Sequence, residues 1–246
     1  LEMMLGCFKL RAVPINVNYR YVQLELAHLF SDADLVGLVY HRMFAAAVGD
    51  ALDAAPDLRH LLVVDDASAA DVLPGSVPYD EALTSASHGR GFHGRSGSDV
   101  YCAYTGGTTG LPKGVLWRHE DIFFAAMGGG DPQLSGVPIS NPDELADRIP
   151  ATGLVQVVTP PLIHVAAQWG AFQVLFGGGT VVLPTPGPLD ARETWDLAAR
   201  EGAHVVTVVG DAMARPLLEH LDALPADQRP DLSALMVFAS GGGYDQ

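Results

Sequence analysis

Residues 104–115 read Tyr-Thr-Gly-Gly-Thr-Thr-Gly-Leu-Pro-Lys-Gly-Val, and residues 99–105 have the β-branched and aromatic content of a buried strand. Glycine lets backbone amides approach an anion closely, and threonine adds hydroxyl groups that bind phosphate or a metal ion. Lys113 adds a positive charge, and the chain has only one other lysine, Lys9. The stretch therefore predicts a strand that ends in a phosphate-binding loop.

Strands and helices alternate on both sides of this loop. Continuous apolar runs predict strands, at residues 35–40, 61–64, 154–158, 180–183, 205–209 and 235–238. Helical spacing of apolar residues predicts helices, at residues 22–30, 43–54, 163–176, 191–200 and 212–221. A further short strand is expected at residues 12–17, and a helix from Asn141, capped together with Glu144, to residue 149.

Apolar strands separated by helices favour parallel sheets that are covered on both faces. We therefore expect an α/β protein with two mainly parallel sheets flanked by helices. Residues 1–130 would form a first lobe with the phosphate loop, residues 131–150 a Gly- and Pro-rich joint with a short helix, and residues 151–246 a second lobe.

The composition narrows the range of partners. The net charge is -15, with 9 basic and 15 acidic residues up to residue 130 and 5 basic and 14 acidic residues after it. Neither half offers the basic surface that nucleic acid or an anionic membrane requires. No apolar stretch approaches the roughly 18 residues of a membrane span. Cys7 and Cys102 have no metal-ligand spacing, and they are expected to be free thiols in a reducing cytoplasm.

Two other kinds of nucleotide-binding loop, the Walker loop and the dinucleotide-binding loop, are excluded because this sequence lacks features that each of them requires. A Walker loop needs Gly before its Lys and Ser or Thr after it, whereas Pro112 precedes Lys113 and Gly114 follows it. Residues 89–94 match G-x-G-x-x-G, but no strand precedes them and no helix follows, so we expect no dinucleotide site there.

The loop resembles the signature loop of the adenylate-forming superfamily, which contains acyl-CoA synthetases, luciferase-type enzymes and adenylation domains of peptide synthetases. The family usually has Ser where this chain has Gly106. Pro160-Pro161-Leu162-Ile163-His164, the glycine turn at residues 177–179 and Ser240-Gly241-Gly242-Gly243 resemble later family motifs. Residues 101–117 and the Gln168-Trp169 pair are most similar to actinobacterial fatty-acid and steroid-side-chain CoA ligases.

The resemblance implies a role for each segment. ATP phosphates would be held by seven residues, Thr105, Gly106, Gly107, Thr108, Thr109, Gly110 and Lys113. Adenine would pack on Ser240, Gly241, Gly242 and Gly243, and the acyl substrate would lie against His164, Trp169, Val209 and Gly210. Lys113, Thr109 and His164 would act in catalysis, with Thr109 also a ligand of Mg²⁺. Two alternatives stay open. Trp169 is either a gating residue at the acyl site or an aromatic residue of the core, and Asp211 either lines the acyl pocket or caps the next helix.

The reaction implied by the resemblance is ATP-dependent activation of a fatty acid or sterol-derived acid to acyl-AMP and then to acyl-CoA. The family continues with Tyr-Gly-x-Thr-Glu and Thr-Gly-Asp motifs and a small C-terminal domain, which these 246 residues lack. We therefore expect this chain to form most of the family's large domain and to show little or no catalytic turnover. The alternatives are a short chain that binds nucleotide or acyl ligand without catalysis, and transfer of the acyl-adenylate to a carrier protein. A homodimer also remains open.

Overall fold

A computed structural model describes residues 1–106, 110–128, 131, 136–137 and 139–240 of the protein. Eight α-helices are present in this part of the chain: α1 Glu2–Leu10, α2 Gln23–Asp32, α3 Ala45–Gly49, α4 Tyr79–Ser85, α5 His119–Ala126, α6 Val165–Phe176, α7 Ala191–Arg200 and α8 Gly210–Ala223. The strands of the same part are β1 Gly37–His41, β2 His60–Val64, β3 Val77–Pro78, β4 Val100–Thr105, β5 Lys113–Arg118, β6 Val155–Val158, β7 Thr180–Val182, β8 Val205–Val208 and β9 Val237–Ser240.

The strands form two parallel sheets and one strand pair. One sheet has the order β1-β2-β3 and the other the order β7-β6-β8-β9, with parallel pairing throughout both. Strands β4 and β5, which flank the predicted phosphate loop, pair with each other. The predicted α/β fold with two mainly parallel sheets is confirmed.

The chain forms two compact units, which are described separately. The first unit contains residues 3–95 and 100–116, and the second contains residues 1–2, 96–99 and 117 onwards. The predicted phosphate loop belongs to the first unit, and strands β6 to β9 belong to the second. The predicted joint at residues 131–150 stays a prediction.

Helix α2 is the centre of the first unit's core. Its residues Leu26, Leu29 and Phe30 are buried because their spacing of three and four places them on one helical face. They belong to an apolar cluster that also includes Tyr40 of β1 and Tyr104 of β4. Helix α2 and the end of β4, from which the loop emerges, therefore share one apolar core.

The predicted strand at residues 12–17 was wrong, because this segment has no ladder of backbone hydrogen bonds. Pro14 has no N–H group to donate to a neighbouring strand. The side chain of Asn16 makes the sheet-like contact instead: its Nδ2 donates to the carbonyl oxygen of Tyr104 over 2.8 Å, and its Oδ1 accepts from the Tyr104 N–H over 2.7 Å.

The second unit has its core between the central strands and helices α7 and α8. Trp195 of α7 is 2% exposed, donates from Nε1 to the carbonyl oxygen of Leu217 over 2.9 Å, and stacks on Phe238. Asp190 caps α7 by accepting a hydrogen bond from the Glu193 N–H. The contacts of Trp195 thus join α7 to α8 and to β9, the strand that ends at the first predicted adenine residue, Ser240.

The glycine turn between α6 and β7 is required by close packing. Gly178 has φ +74°, a conformation that favours glycine. A Cβ atom on Gly179 would lie 2.3 Å from the carbonyl oxygen of Leu154. The turn therefore excludes side chains, whatever the reaction of the protein.

The helix predicted after Asn141 and the dinucleotide loop excluded at residues 89–94 can both be compared with the structure. The predicted helix after Asn141 is a 3-10 helix, Pro142–Arg148, in which Asn141 accepts from the Asp143 N–H while the Glu144 carboxylate accepts from the hydroxyl of Ser140. The expected capping box is therefore not closed. Residues 87–96 form neither helix nor strand, which agrees with the exclusion of a dinucleotide loop. Among the described residues, no helix is both long and apolar enough to cross a membrane.

Candidate functional site

The predicted phosphate loop emerges from the buried end of β4. Tyr101 to Tyr104 are buried, whereas Thr105 and Gly106 are exposed. Gly110 is also exposed and has φ +107°, which suits glycine. The expected roles of Gly107, Thr108 and Thr109 fall on residues outside the described part of the chain. What the structure does describe is a loop whose two ends are placed by the fold.

The N-terminal end of the loop is held at Tyr104. Besides the two hydrogen bonds from Asn16 to its backbone, its hydroxyl group donates to Oδ2 of Asp32 over 2.6 Å. Burial, and then the neighbouring Asp32 carboxylate, raise the pKa of Tyr104. The tyrosine hydroxyl therefore keeps its proton and remains a donor at neutral pH.

The C-terminal end of the loop is held at Pro112 and Gly114. Nε2 of His28 lies 3.0 Å from the carbonyl oxygen of Pro112. A Cβ atom on Gly114 would lie 3.0 Å from Sγ of Cys102 and 3.0 Å from Cε2 of Tyr104. The glycine after Lys113 is therefore required by packing against β4.

Lys113 is exposed at the first position of β5 and has no ion-pair partner in the described part of the chain. It borders an open depression of about 490 Å³, whose lining also includes His28, Asp32 and the segment Leu111, Pro112 and Gly114. The ammonium group of Lys113 is therefore available to an anion.

The second unit carries the predicted acyl-side residues. His164 is exposed and caps α6, and its N–H donates to the carbonyl oxygen of Pro161. Gln168 in the first turn of α6 donates from Nε2 to the carbonyl oxygen of Leu162 over 2.6 Å. The turn before α6 is thus held by backbone and side-chain bonds, and the imidazole of His164 faces solvent.

Trp169 is partly buried on α6. Its ring lies edge-on to that of Trp117, with centroids 6.5 Å apart and an interplanar angle of 83°. Its Nε1 atom is buried without a hydrogen-bond partner among the described residues. The aromatic packing is that of a core residue, and the gate hypothesis remains a prediction.

The structure brings Gly210 and Ser240 together. Strands β8 and β9 are parallel neighbours, with Val208 opposite Ser240, so both end at the same edge of the sheet. The N–H of Gly210 donates to Oγ of Ser240 over 3.2 Å. The predicted acyl-side residues Val209 and Gly210 therefore adjoin the first predicted adenine residue.

Asp211 lies in the first turn of α8, where Val209 is the N-cap. The alternative that Asp211 caps this helix is therefore wrong, and its carboxylate pairs instead with Arg215 at 3.8 Å. Gly241, Gly242 and Gly243 lie outside the described residues.

Sequence reasoning missed Asn16, His28 and Asp32. His28 and Asp32 are four residues apart on α2, and this spacing predicts a shared helical face. Their partners in the loop lie more than 70 residues away in the chain, so the spacing alone could not show what that face contacts.

Comparison with known proteins identifies the family. A family model described as AMP-binding enzyme matches residues 1–244. The chain belongs to the AMP-binding enzyme family. The resemblance to adenylate-forming enzymes, which rested on the loop and the later glycine segments, is confirmed.

The curated relatives of this chain include two proteins from actinobacteria that are named as CoA ligases. The medium-chain acyl-CoA ligase Mig of Mycobacterium avium is 43% identical over 244 residues, which cover 98% of this chain and 44% of that protein. The 3-oxocholest-4-en-26-oate--CoA ligase of Rhodococcus rhodochrous is 40% identical over 244 residues, which cover 98% of this chain and 43% of that protein. The chain thus spans less than half the length of these relatives.

Solved structures with low sequence identity to this chain share its fold. The anthranilate CoA ligase AuaEII in complex with anthranoyl-AMP matches with a TM-score of 0.71 at 20% identity, over 96% of this chain and 41% of that chain. The N-terminal domain of FACL13 from Mycobacterium tuberculosis matches with a TM-score of 0.68 at 23% identity, over 97% of this chain and 52% of that chain.

Proposed function

We propose that this protein takes part in the ATP-dependent activation of a carboxylic acid, a fatty acid or a sterol-derived acid, to acyl-AMP and then to acyl-CoA. The observation that carries the proposal is the identity of 40–43% along almost the whole chain to ligases named for medium-chain acyl groups and for a steroid acid. Two separate features support it: Lys113 is exposed after the loop of the first unit, and Gly210 adjoins Ser240 at a sheet edge of the second unit.

The proposed chemistry has two group transfers. In the first, a carboxylate oxygen attacks the α-phosphorus of ATP, the bond from that phosphorus to the bridging oxygen of the β-phosphate breaks, and pyrophosphate leaves. In the second, the sulfur of coenzyme A attacks the acyl carbon, the carbon–oxygen bond to the phosphate breaks, and AMP leaves while the thiol proton passes to solvent.

Phosphoryl-type transfer depends mainly on positioning and on neutralisation of charge. The loop supplies backbone amides at Gly106 and Gly110 and the hydroxyl of Thr105, all at exposed positions, and Lys113 supplies a positive charge. Gly107, Thr108 and Thr109 complete the proposed phosphate contacts. His164 is proposed to face the substrate carboxylate, with Trp169, Val209 and Gly210 along the acyl group and the segment from Ser240 to Gly243 against adenine.

The proposed Mg²⁺ is expected to enter with ATP. The described residues contain no group of three or more His, Cys, Asp or Glu side chains suited to a metal ion. Phosphate oxygens and a threonine hydroxyl, proposed here as that of Thr109, are the hard oxygen ligands that this ion prefers. When bound, the ion would neutralise part of the phosphate charge.

Release of AMP and pyrophosphate tests the proposal. Because little or no turnover is expected of these 246 residues alone, the full-length protein is incubated with ATP and a panel of fatty, steroid and aromatic acids, with and without coenzyme A. Products are measured by mass spectrometry. Acyl-CoA formed together with AMP and pyrophosphate supports the proposal. Acyl-AMP that transfers only to a carrier protein, or ATP binding without any product, would favour one of the two alternatives.

Lys113→Ala tests the anion contact. We expect ATP affinity to fall by about tenfold to a hundredfold, since a charge-assisted hydrogen bond contributes roughly 1.5–3 kcal/mol. The melting temperature should change little because the side chain is exposed. Lys9→Ala, which removes the only other lysine, is the matched control and should bind ATP as the wild type does. A loss of stability with unchanged affinity would assign Lys113 a structural role.

A further inference from the structure

Both ends of the phosphate loop are attached to one helix. Tyr104 before the loop donates its hydroxyl hydrogen to Asp32, and Pro112 after the loop lies with its carbonyl oxygen 3.0 Å from Nε2 of His28. His28 and Asp32 are four positions apart on α2, one turn of the helix, and therefore project from the same face.

The contact between His28 and Pro112 has a defined donor. A carbonyl oxygen can only accept, so Nε2 of His28 carries the hydrogen of this bond. Proline has no N–H group, so the carbonyl is the only backbone hydrogen-bonding group of Pro112. Pro112 is itself buried, which makes an unsatisfied carbonyl unfavourable at this position. His28 thus satisfies the one polar backbone group immediately before Lys113.

Helix α2, which carries both side chains, is itself held in place by its buried apolar face. Leu26, Leu29 and Phe30 are at most 5% exposed and fix the helix against the core of the first unit. His28 and Asp32 therefore transmit the position of a packed helix to the loop, as supporting residues do in preorganised sites.

We propose that α2 positions the phosphate loop, and that His28, through Pro112, is a positioning residue that sets the affinity for ATP. This rests on the proposed function for the identity of the ligand. A loop with both ends held has less conformational freedom to lose when it binds phosphate, so less of the binding free energy is spent on ordering it. Removal of one neutral hydrogen bond corresponds to about a fivefold change in an equilibrium constant.

The test compares three variants with the wild type. His28→Phe keeps an aromatic ring and removes the donor, and His28→Gln restores an N–H group of similar reach. Leu197→Val, in the core of the second unit, disturbs packing without changing α2 or its two bonds to the loop. If His28→Phe does not fold, His28→Ala provides the same loss of the donor.

Two measurements are made on each protein. Hydrogen–deuterium exchange of peptides that cover residues 105–113, without ATP, reports whether the loop is held. Calorimetric titration with ATP reports affinity. We expect His28→Phe to accelerate exchange and to raise the dissociation constant, each about fivefold, while His28→Gln stays within twofold of the wild type. Leu197→Val should lower the melting temperature with unchanged ATP affinity.

Unchanged exchange at residues 105–113 in His28→Phe would overturn the inference, as would a failure of His28→Gln to restore slow exchange or an equal loss of ATP affinity in Leu197→Val. A wild type that does not bind ATP would instead contradict the proposed function. The exchange measurement needs no ATP and would still decide whether α2 holds the loop.

Discussion

Gly114→Ala should destabilise the protein although it adds one methyl group. The new Cβ atom would lie 3.0 Å from Sγ of Cys102 and 3.0 and 3.1 Å from Cε2 and Cζ of Tyr104, whereas carbon atoms in optimal contact are about 3.5–4.0 Å apart. The tyrosine cannot turn away freely, because Asp32 holds its hydroxyl and Asn16 holds its backbone. Overpacking of this kind costs about 1–3 kcal/mol.

Thermal and urea unfolding measure this effect. For a protein of this size, the expected loss lowers the melting temperature by roughly 2–12 °C. The control is Gly106→Ala in the same motif, where a Cβ atom would have nothing within 4 Å, so the free energy of unfolding should stay within about 0.5 kcal/mol of the wild type. Equal melting temperatures for Gly114→Ala and the wild type, or an equal loss in Gly106→Ala, would refute the packing argument.

Two further predictions concern stability. Tyr104→Phe should lower the free energy of unfolding by about 1.5–3 kcal/mol at pH 8, because the hydroxyl donates to the carboxylate of Asp32. Since the folded-state pKa of Tyr104 is raised above its unfolded value near 10, this stability is present below pH 10 and is lost as the pH rises further. Urea titrations at pH 8 and above pH 10 should show a smaller alkaline loss in the variant, and an equal loss would contradict the assignment. Gly179→Ala should cost roughly 3 kcal/mol or more, because the Cβ atom would lie 2.3 Å from a backbone oxygen. Gly6→Ala, with nothing within 4 Å, is its control, and similar melting temperatures for the two would refute the clash.

Sequence patterns predicted the regular elements where one local signal dominated. The apolar runs around Val157 and Val206 became the buried central strands β6 and β8, since the strands of a parallel sheet that helices cover on both faces are apolar on both faces. The strand predicted at residues 12–17 was wrong because β-propensity could not show that Asn16 would bond to Tyr104 through its side chain. The 3-10 helix after Asn141 differed for a similar reason, since Glu144 bonds to Ser140 and not to the cap.

Of the candidate site, too, local sequence patterns showed one part and the tertiary structure decided the other. The loop, its lysine and the later glycine segments were recognisable because closely spaced residues of special chemistry form them. Their residue-level roles remain proposals, and Thr109 and Gly241 are among the expected contacts outside the described residues. The adjacency of Gly210 and Ser240 is a property of the parallel register between β8 and β9, which no local pattern specifies.

The sequence by itself determined the α/β class, the order of most strands and helices, and the family, because these depend on the periodicity of apolar residues and on contiguous motifs. The tertiary structure alone decided how the loop is held. Asn16, His28 and Asp32 reach it across 72 to 88 positions of the chain. Such contacts arise only when α2 and β4 contribute to the same apolar core, and this follows from burial of the apolar face of the helix and not from any signal within the loop.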